Sequence, residues 1–345
     1  MGIMTVNGII EKNELGITAA HEHMLIDIRR FFMPPDALSK AMIAEQPVRL
    51  DNIRFLKNDP YAIRDNLIVG DVGTAIDEVR SFKAAGGRSL VDVTMPGIGR
   101  DVRFLKAASA ELSMNIICGC GFYVEGSQPP WVVEADEKAI EKHLLQEISE
   151  GIDGTDIRPG VIGELGTGTE IGTTERKVLI AAGKASLQTG LPIQIHTYPW
   201  GVIGLEAAEI LVDIGIKPEK ICICHVDVEF NMPYIYRLLD IGVYVEFDNF
   251  GKEYYIPKRD RAFAGGIFVQ DIERAAALKE IIEKGYTKQI LVSCDICLKS
   301  LLHAYGGSGY DHFLVSMIPM LADEGVSSDA ISTLIRDNPA DFLDV

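Results

Sequence analysis

From Gly16 onward, short runs rich in β-branched and other apolar residues alternate with longer stretches in which apolar side chains recur every three or four positions. The short runs predict strands over Ile17–His23, Ser89–Thr94, Asn115–Gly121, Gly160–Leu165, Pro192–His196, Lys220–Val226, Val243–Asp248 and Gln289–Cys294. The periodic stretches predict helices, among them Ala75–Ala85, Arg103–Leu112, Ala139–Gly151, Thr174–Thr189, Leu205–Ile214 and Val269–Gly285. Gly86, Gly190, Gly215 and Gly285 fall where a helix must stop before the next strand, a place where a left-handed cap favours glycine.

Several of the strands, such as Ile-Cys-Ile-Cys and Ile-Leu-Val-Ser-Cys, are apolar almost throughout, which suits a sheet covered on both faces. Strand–helix alternation implies parallel pairing with right-handed crossovers. Eight such units fit an α/β (β/α)₈ TIM barrel better than a doubly wound open sheet, the competing architecture. No linker or break in composition divides the 345 residues, so 1–345 reads as a single domain. Irregular segments near 32–68 and 254–267 read as insertions on βα loops, the loops that border the active site in a barrel.

Against that frame the polar residues fall in a pattern. Four of the seven histidines close predicted strands. His21 and His23 end the first, two apart, so both imidazoles face the barrel mouth while Glu22 points the other way. Glu164 closes the fourth strand, His196 the fifth, His225 the sixth and Asp295 the eighth. Taken singly, each reads as a hydrogen-bonded core residue or a loop anchor. Barrel closure gathers all of them around one axis, and four imidazoles with two carboxylates exceed what one zinc ion needs. They suit two divalent ions sharing a bridging carboxylate.

Composition narrows the partners. Lys plus Arg is 33 against 50 for Asp plus Glu, a formal net charge of −17, which disfavours nucleic acid or an anionic membrane surface. No apolar run approaches the roughly 18 residues of a membrane span, and Met1–Glu14 lacks a signal pattern. The chain reads as cytoplasmic. Cys118, Cys120, Cys222, Cys224, Cys294 and Cys297 lie in or beside apolar strands and read as core packing, the Cys-x-Cys spacing being tight for a metal site.

These residues carry a resemblance. The stretches Gly16-Ile-Thr-Ala-Ala-His-Glu-His23, Gly160-Val-Ile-Gly-Glu-Leu-Gly166, Ile193-Gln-Ile-His196, His225-Val-Asp227, Asp295, Tyr305-Gly-Gly-Ser-Gly-Tyr-Asp-His312 and Asn338-Pro339 are similar to the phosphotriesterase family of the amidohydrolase superfamily, specifically its phosphotriesterase-related branch. The resemblance implies that His21, His23 and Asp295 hold a more buried ion and His196 and His225 a more exposed one. It implies that Glu164 stands where many members carry a carboxylated lysine, and that the ions are zinc. A homodimer is the family habit.

The same resemblance implies hydrolysis of a small molecule by a metal-bridging hydroxide, with Asp295 taking up the proton and His225 or a nearby aspartate passing it outward. Members hydrolyse phosphotriesters, lactones, carboxylic esters and N-acyl amides. A lactone, ester or N-acyl amide is the first choice here. The alternatives are a phosphotriesterase or phosphorylated-lactone hydrolase, and a metal-binding barrel without catalysis. A Rossmann enzyme is excluded, since no GxGxxG opens a helix after the first strand. Tyr123, Asp248, Asn249 and Lys252 are candidate pocket residues. Lys299, four residues after Asp295, and the cluster Lys258, Arg259 and Arg261 are candidates for an anionic substituent, with exposed loop charge as the plainer reading. The glycine-rich Tyr305–Tyr310 segment reads as a structural turn. His303 and His312 read as peripheral, and His143 as exposed in mid-helix.

Overall fold

The computed structural model describes residues 2–35, 37–256 and 265–345. Eight parallel strands form one sheet in chain order: β1 (Thr18–Glu22), β2 (Ser89–Asp92), β3 (Asn115–Cys120), β4 (Val161–Gly166), β5 (Ile193–His196), β6 (Ile221–Ile223), β7 (Tyr244–Phe247) and β8 (Ile290–Val292). Each pairs in parallel with the next. All eight predicted strands are present, trimmed at their ends. The helices α1 (Val72–Ala84), α2 (Val102–Leu112), α3 (Glu137–Glu150), α4 (Thr173–Thr189), α5 (Gly204–Ile214), α6 (Met232–Ile241) and α7 (Asp271–Glu283) run between them. Gly190, Gly215 and Gly242 cap α4, α5 and α6 in the left-handed region, where a Cβ would be strained.

The ladder is unbonded only between β1 and β8, and Glu22 closes that seam. Its carboxylate accepts from Ser293 Oγ (2.7 Å) and from the backbone N–H groups of Cys294 and Ile296 (both 2.8 Å), and Ser293 Oγ in turn accepts from His21 N (3.0 Å). The residue pointing away from the mouth thus makes the open sheet into a barrel.

Ala20, Val91, Ile117, Val161, Cys222, Tyr244 and Leu291 pack inside the barrel, and a larger apolar layer fills the space between sheet and helices. The floor is plugged from outside the sheet by Ile3, Leu15 and Phe342, the last edge-on to Tyr244 at 5.2 Å. The predicted core role of the cysteines fits: five of the six are buried, and none is in a disulfide. No described helix is long and apolar enough to cross a membrane.

The loop after β1 is long and carries only short helices and a two-stranded ribbon, Ile26–Asp27 with Ile68–Val69. Of the segment near 254–267, the ends form a small ribbon, Tyr255–Ile256 with Gly266–Ile267. Lys258, Arg259 and Arg261 lie outside the described residues. His143 differs from expectation. It is half-buried, stacked on Phe122 (5.8 Å) and edge-on to Trp131 (4.8 Å), because α3 turns that face toward the loop after β3. The glycine-rich turn is structural: Gly306 and Gly309 have φ of 81° and 72°, and the segment delivers Tyr310, whose hydroxyl donates to the carbonyl of His23 (2.8 Å).

Beside the mouth, Arg274 of α7 is wholly buried. It pairs with Asp227 (3.1 Å) and Asp271 (2.7 Å) and donates to the carbonyl of Lys252 (2.9 Å), fixing the loop after β7. Removing one partner of a buried ion network leaves uncompensated charge. Arg274→Leu is therefore expected to destabilise the fold by about 3–5 kcal/mol, read as a lowered urea midpoint.

Candidate metal centre

His21, His23, Glu164, His196, His225 and Asp295 meet at the C-terminal ends of their strands, all with under a tenth of their surface exposed. Regular alternation alone would not bring them there. The β1 register shifts between Ala19 and Glu22, and the β4 register between Ile162 and Leu165; such bulges re-aim the side chains beside them. On β6, Cys222 faces the interior, so alternation would send His225 outward. His225 instead adopts φ 64°, and Asp295 adopts φ 46°. Both are left-handed conformations that a non-glycine residue seldom holds, and strained backbone of this kind concentrates at working sites.

Glu164 stands at the centre. Its Oε1 lies 3.4 Å from His23 Nε2, and its Oε2 lies 3.5 Å from His21 Nε2, 3.3 Å from His196 Nδ1 and 3.7 Å from His225 Nε2. Asp295 Oδ1 lies 3.2 Å from His23 Nε2 and 3.9 Å from His21 Nε2. For ligand bonds of about 2.0–2.1 Å, tetrahedral geometry places neighbouring donors about 3.3 Å apart, so these contacts have the spacing of atoms around shared ions. Among the described residues three groups each hold their donor atoms within 4.8 Å of one another: His21–His23–Asp295 and His21–Glu164–His225 on the mouth side, and His21–Cys224–Glu246–Asp248 on the far side of His21. His21 Nε2 and Glu164 Oε2 are buried without a hydrogen-bond partner, as expected of atoms reserved for a cation.

The back of three of the four imidazoles is held. Thr94 Oγ1 is 2.9 Å from His23 Nδ1, Glu246 Oε2 is 3.1 Å from His21 Nδ1, and Asp248 Oδ1 is 2.9 Å from His225 Nδ1. His196 is different: the Tyr123 hydroxyl lies against its ring, 3.2 Å from Nδ1 and 3.3 Å from Nε2, and its Nδ1 meets His225 Nε2 at 2.8 Å. Thr94, Glu246 and Asp248 are the back-side partners. Such partners orient a histidine and fix which nitrogen is free to ligate.

Electrostatics bind the cluster together. Burial disfavours every charge here, yet Asp295 is held well below the usual carboxylate range by Lys252, His23 and His21, and Glu164 by His21 and the other imidazoles. Burial opposes protonation of His23 and His21 as well, but the facing carboxylates push them up to about 10 and about 9. His196 goes the other way, down to about 4, through burial and the neighbouring His225. The carboxylates thus stay ionised, and protons hold the positions where divalent charge fits.

Above this floor opens a cavity of about 80 Å³. Its walls are mainly apolar and aromatic, including Ile26, Ile28, Tyr61, Ile98, Trp200, Tyr254, Phe268 and Leu298. Tyr123, Asn249 and Lys252 line it, and Lys252, the one lysine or arginine among the described lining residues, is ion-paired to Asp295 Oδ2. Two predicted pocket residues stand elsewhere. Asp248 lies beneath the floor, bound to His225. Lys299 reaches out to Asp65 (2.6 Å), because Asp295 lies in irregular backbone and the first turn after β8, Lys299–Leu301, begins only at Lys299, so the two share no helix face. His303 and His312 lie outside the cavity, bonded to Ser308 O and Asp271.

The sequence reading missed Glu246, Thr94 and the Arg274–Asp227–Asp271 network. Glu246 left a signal, being a carboxylate inside an otherwise apolar strand, two residues before Asp248.

The chain is similar to known proteins over nearly its whole length. The phosphotriesterase family model matches residues 1–343. N-acetyltaurine hydrolase of Xenopus tropicalis is 32% identical over 343 residues, covering 99% of this chain and 97% of its own. The crystal structure of a resiniferatoxin-binding protein from Rhodobacter sphaeroides superposes with a TM-score of 0.95 at 33% identity, covering 99% of this chain and 95% of that one. The phosphotriesterase homology protein of Escherichia coli, solved with phosphate in its active site, gives 0.78 at 28% identity, covering 96% and 99%.

Proposed function

The chain belongs to the phosphotriesterase family and is a metal-dependent hydrolase of that kind, and on that premise we propose that it binds two divalent ions and hydrolyses a small carbonyl substrate, a lactone, carboxylic ester or N-acyl amide. The observation that carries this reading is Glu164, its two oxygens within 3.3–3.7 Å of all four histidines and one of them without a hydrogen bond. His21, His23 and Asp295 would hold one ion, His196 and His225 the other, with Glu164 between. Imidazole nitrogen with carboxylate oxygen suits zinc. When bound, the ions would polarise the scissile carbonyl and lower the pKa of a water.

The chain's own residues supply the rest. Asp295 is ionised, with Oδ2 taken by Lys252 and Oδ1 turned to the histidines, so Oδ1 can accept the proton of the attacking water and return it to the leaving group. The Tyr123 hydroxyl stands at the floor within reach of a substrate oxygen. The apolar walls take up an acyl chain and thin the water around the reacting atoms. An N-acyl amide is favoured by the relative named for N-acetyltaurine. The phosphate in the Escherichia coli relative's site supports the second reading, a phosphoester substrate. Free buried cysteines are compatible with a cytoplasmic location.

Metal analysis of the purified protein, with a hydrolysis panel of lactones, esters, N-acyl amides and phosphotriesters, tests the proposal. Two ions per chain and turnover of a carbonyl class are expected; a folded, metal-free protein inert on every class leaves the non-catalytic reading. Metal uptake must also displace the protons on His21 and His23, which are bound below about 9 and about 10 in the metal-free protein. Apparent affinity should therefore fall about tenfold per pH unit for each proton displaced as pH drops from 9 to 7. Chelator competition across that range measures it, and a flat profile contradicts it.

A further inference from the structure

The interior of a closed eight-stranded barrel is ordinarily filled with branched apolar side chains. Here one interior position holds Glu246, wholly buried in the middle of β7. A carboxylate there is expensive unless charge and hydrogen bonds compensate it. Among the described residues, no lysine or arginine forms an ion pair with it, and its one such partner is His21, at 3.1 Å. The other contacts are neutral: the side-chain amide of Gln194 (3.2 and 3.3 Å) and the thiol of Cys222 (3.9 Å). Gln194 is itself braced, donating to the carbonyl of Ala20 (3.0 Å), so the carboxylate is held from the strand beside β6 and cannot swing away.

We propose that Glu246 is a positioning residue of the metal centre. Its carboxylate accepts the Nδ1 proton of His21 from inside the barrel, so that Nε2 keeps its lone pair and aims it between Glu164 and Asp295. The orphaned state of His21 Nε2 is the other half of this arrangement. Asp248 makes the same contact to His225 at 2.9 Å, and its other oxygen stands behind Glu246 as the more distant neighbour of His21 Nδ1, at 3.6 Å against 3.1 Å. β7 therefore contributes no ligand of its own, yet its two alternate carboxylates back one histidine from each proposed ion. The charge on Glu246 also reaches the centre through the imidazole, making His21 a stronger donor.

The inference rests on the two-ion reading, and its test separates the two. Wild-type protein and Glu246→Gln, which keeps shape and removes charge, are stripped and reloaded with Co²⁺ or Zn²⁺. Three quantities are read: metal affinity by chelator competition, the melting temperature with and without metal, and, in the Co²⁺ form, the solvent-exchangeable ring N–H resonances of bound histidines. The expected result is affinity for the first ion weaker by about 10–100-fold. The rise in melting temperature on metal binding should shrink. The slowly exchanging His21 Nδ1–H resonance should shift and exchange faster. Should Glu246→Gln not fold, Gln194→Met, which loosens the brace and leaves Glu246 in place, carries the same comparison. Wild-type protein that takes up two ions, with variants of equal affinity and an unmoved His21 resonance, overturns the role of Glu246 alone. Wild-type protein that binds no metal overturns the two-ion reading instead.

Discussion

Asp295→Asn should leave the protein folded and able to take up metal while lowering kcat by about 10²–10⁴-fold, the range for loss of a positioned proton acceptor. The amide keeps the size of the carboxylate and one oxygen that can still face His23 and His21, but it cannot carry a proton. The substitution also strips Lys252 of its partner, and a buried unpaired ammonium is destabilising. The double variant Asp295→Asn/Lys252→Met separates these effects, restoring the unfolding midpoint without restoring turnover. Metal content by mass spectrometry and kcat on whichever substrate the panel yields are the measurements. An unchanged kcat in a metal-replete Asp295→Asn protein removes Asp295 from proton transfer.

Replacing Glu164 should do more. Glutamine offers one acceptor oxygen where the carboxylate offers two, and its amide N–H groups would face imidazole nitrogens 3.3–3.7 Å away. The positive charge now balanced by Glu164 would be left among buried histidines. Glu164→Gln is expected to lower metal content from two ions per chain to one or none. Polarisation by a metal is worth several kcal/mol of the barrier, so kcat/KM should fall by at least about 10³-fold. Retention of both ions with activity within tenfold of wild type would show that Glu164 does not link the two halves of the site. Glu164→Asp, a shorter carboxylate, should fall between.

Much of this architecture is legible in the chain, because its signals are local. Apolar runs set the strands, glycines stop the helices before Leu191, Ile216 and Val243, and parallel strands of this number close into a barrel. The six metal-capable residues are visible for the same reason, each lying at the end of a strand. What the sequence hides is how they come to face one another. Two bulges and two left-handed residues re-aim Glu164, His21, His225 and Asp295, and non-local packing produces each of them. Lys299 shows the reverse error: spacing of four argues for a shared helix face, but the backbone after β8 is not helical long enough to supply one. Asp248 and Glu246 both stand behind the histidines, at His225 and His21, yet a reading confined to strand ends finds the first and passes over the second.

The seam between β1 and β8 has a consequence for how the protein matures. His21 and Asp295, which face one another across it, are separated by most of the polypeptide, and Glu22 can stitch the two edges only after residues 293–296 exist. A growing chain therefore has His21 and His23 long before it has the edge that faces them. Whatever cation the centre takes, a stable seat for it waits on residues 293–296: shorter products carry His21 and His23 with no facing edge to enclose them.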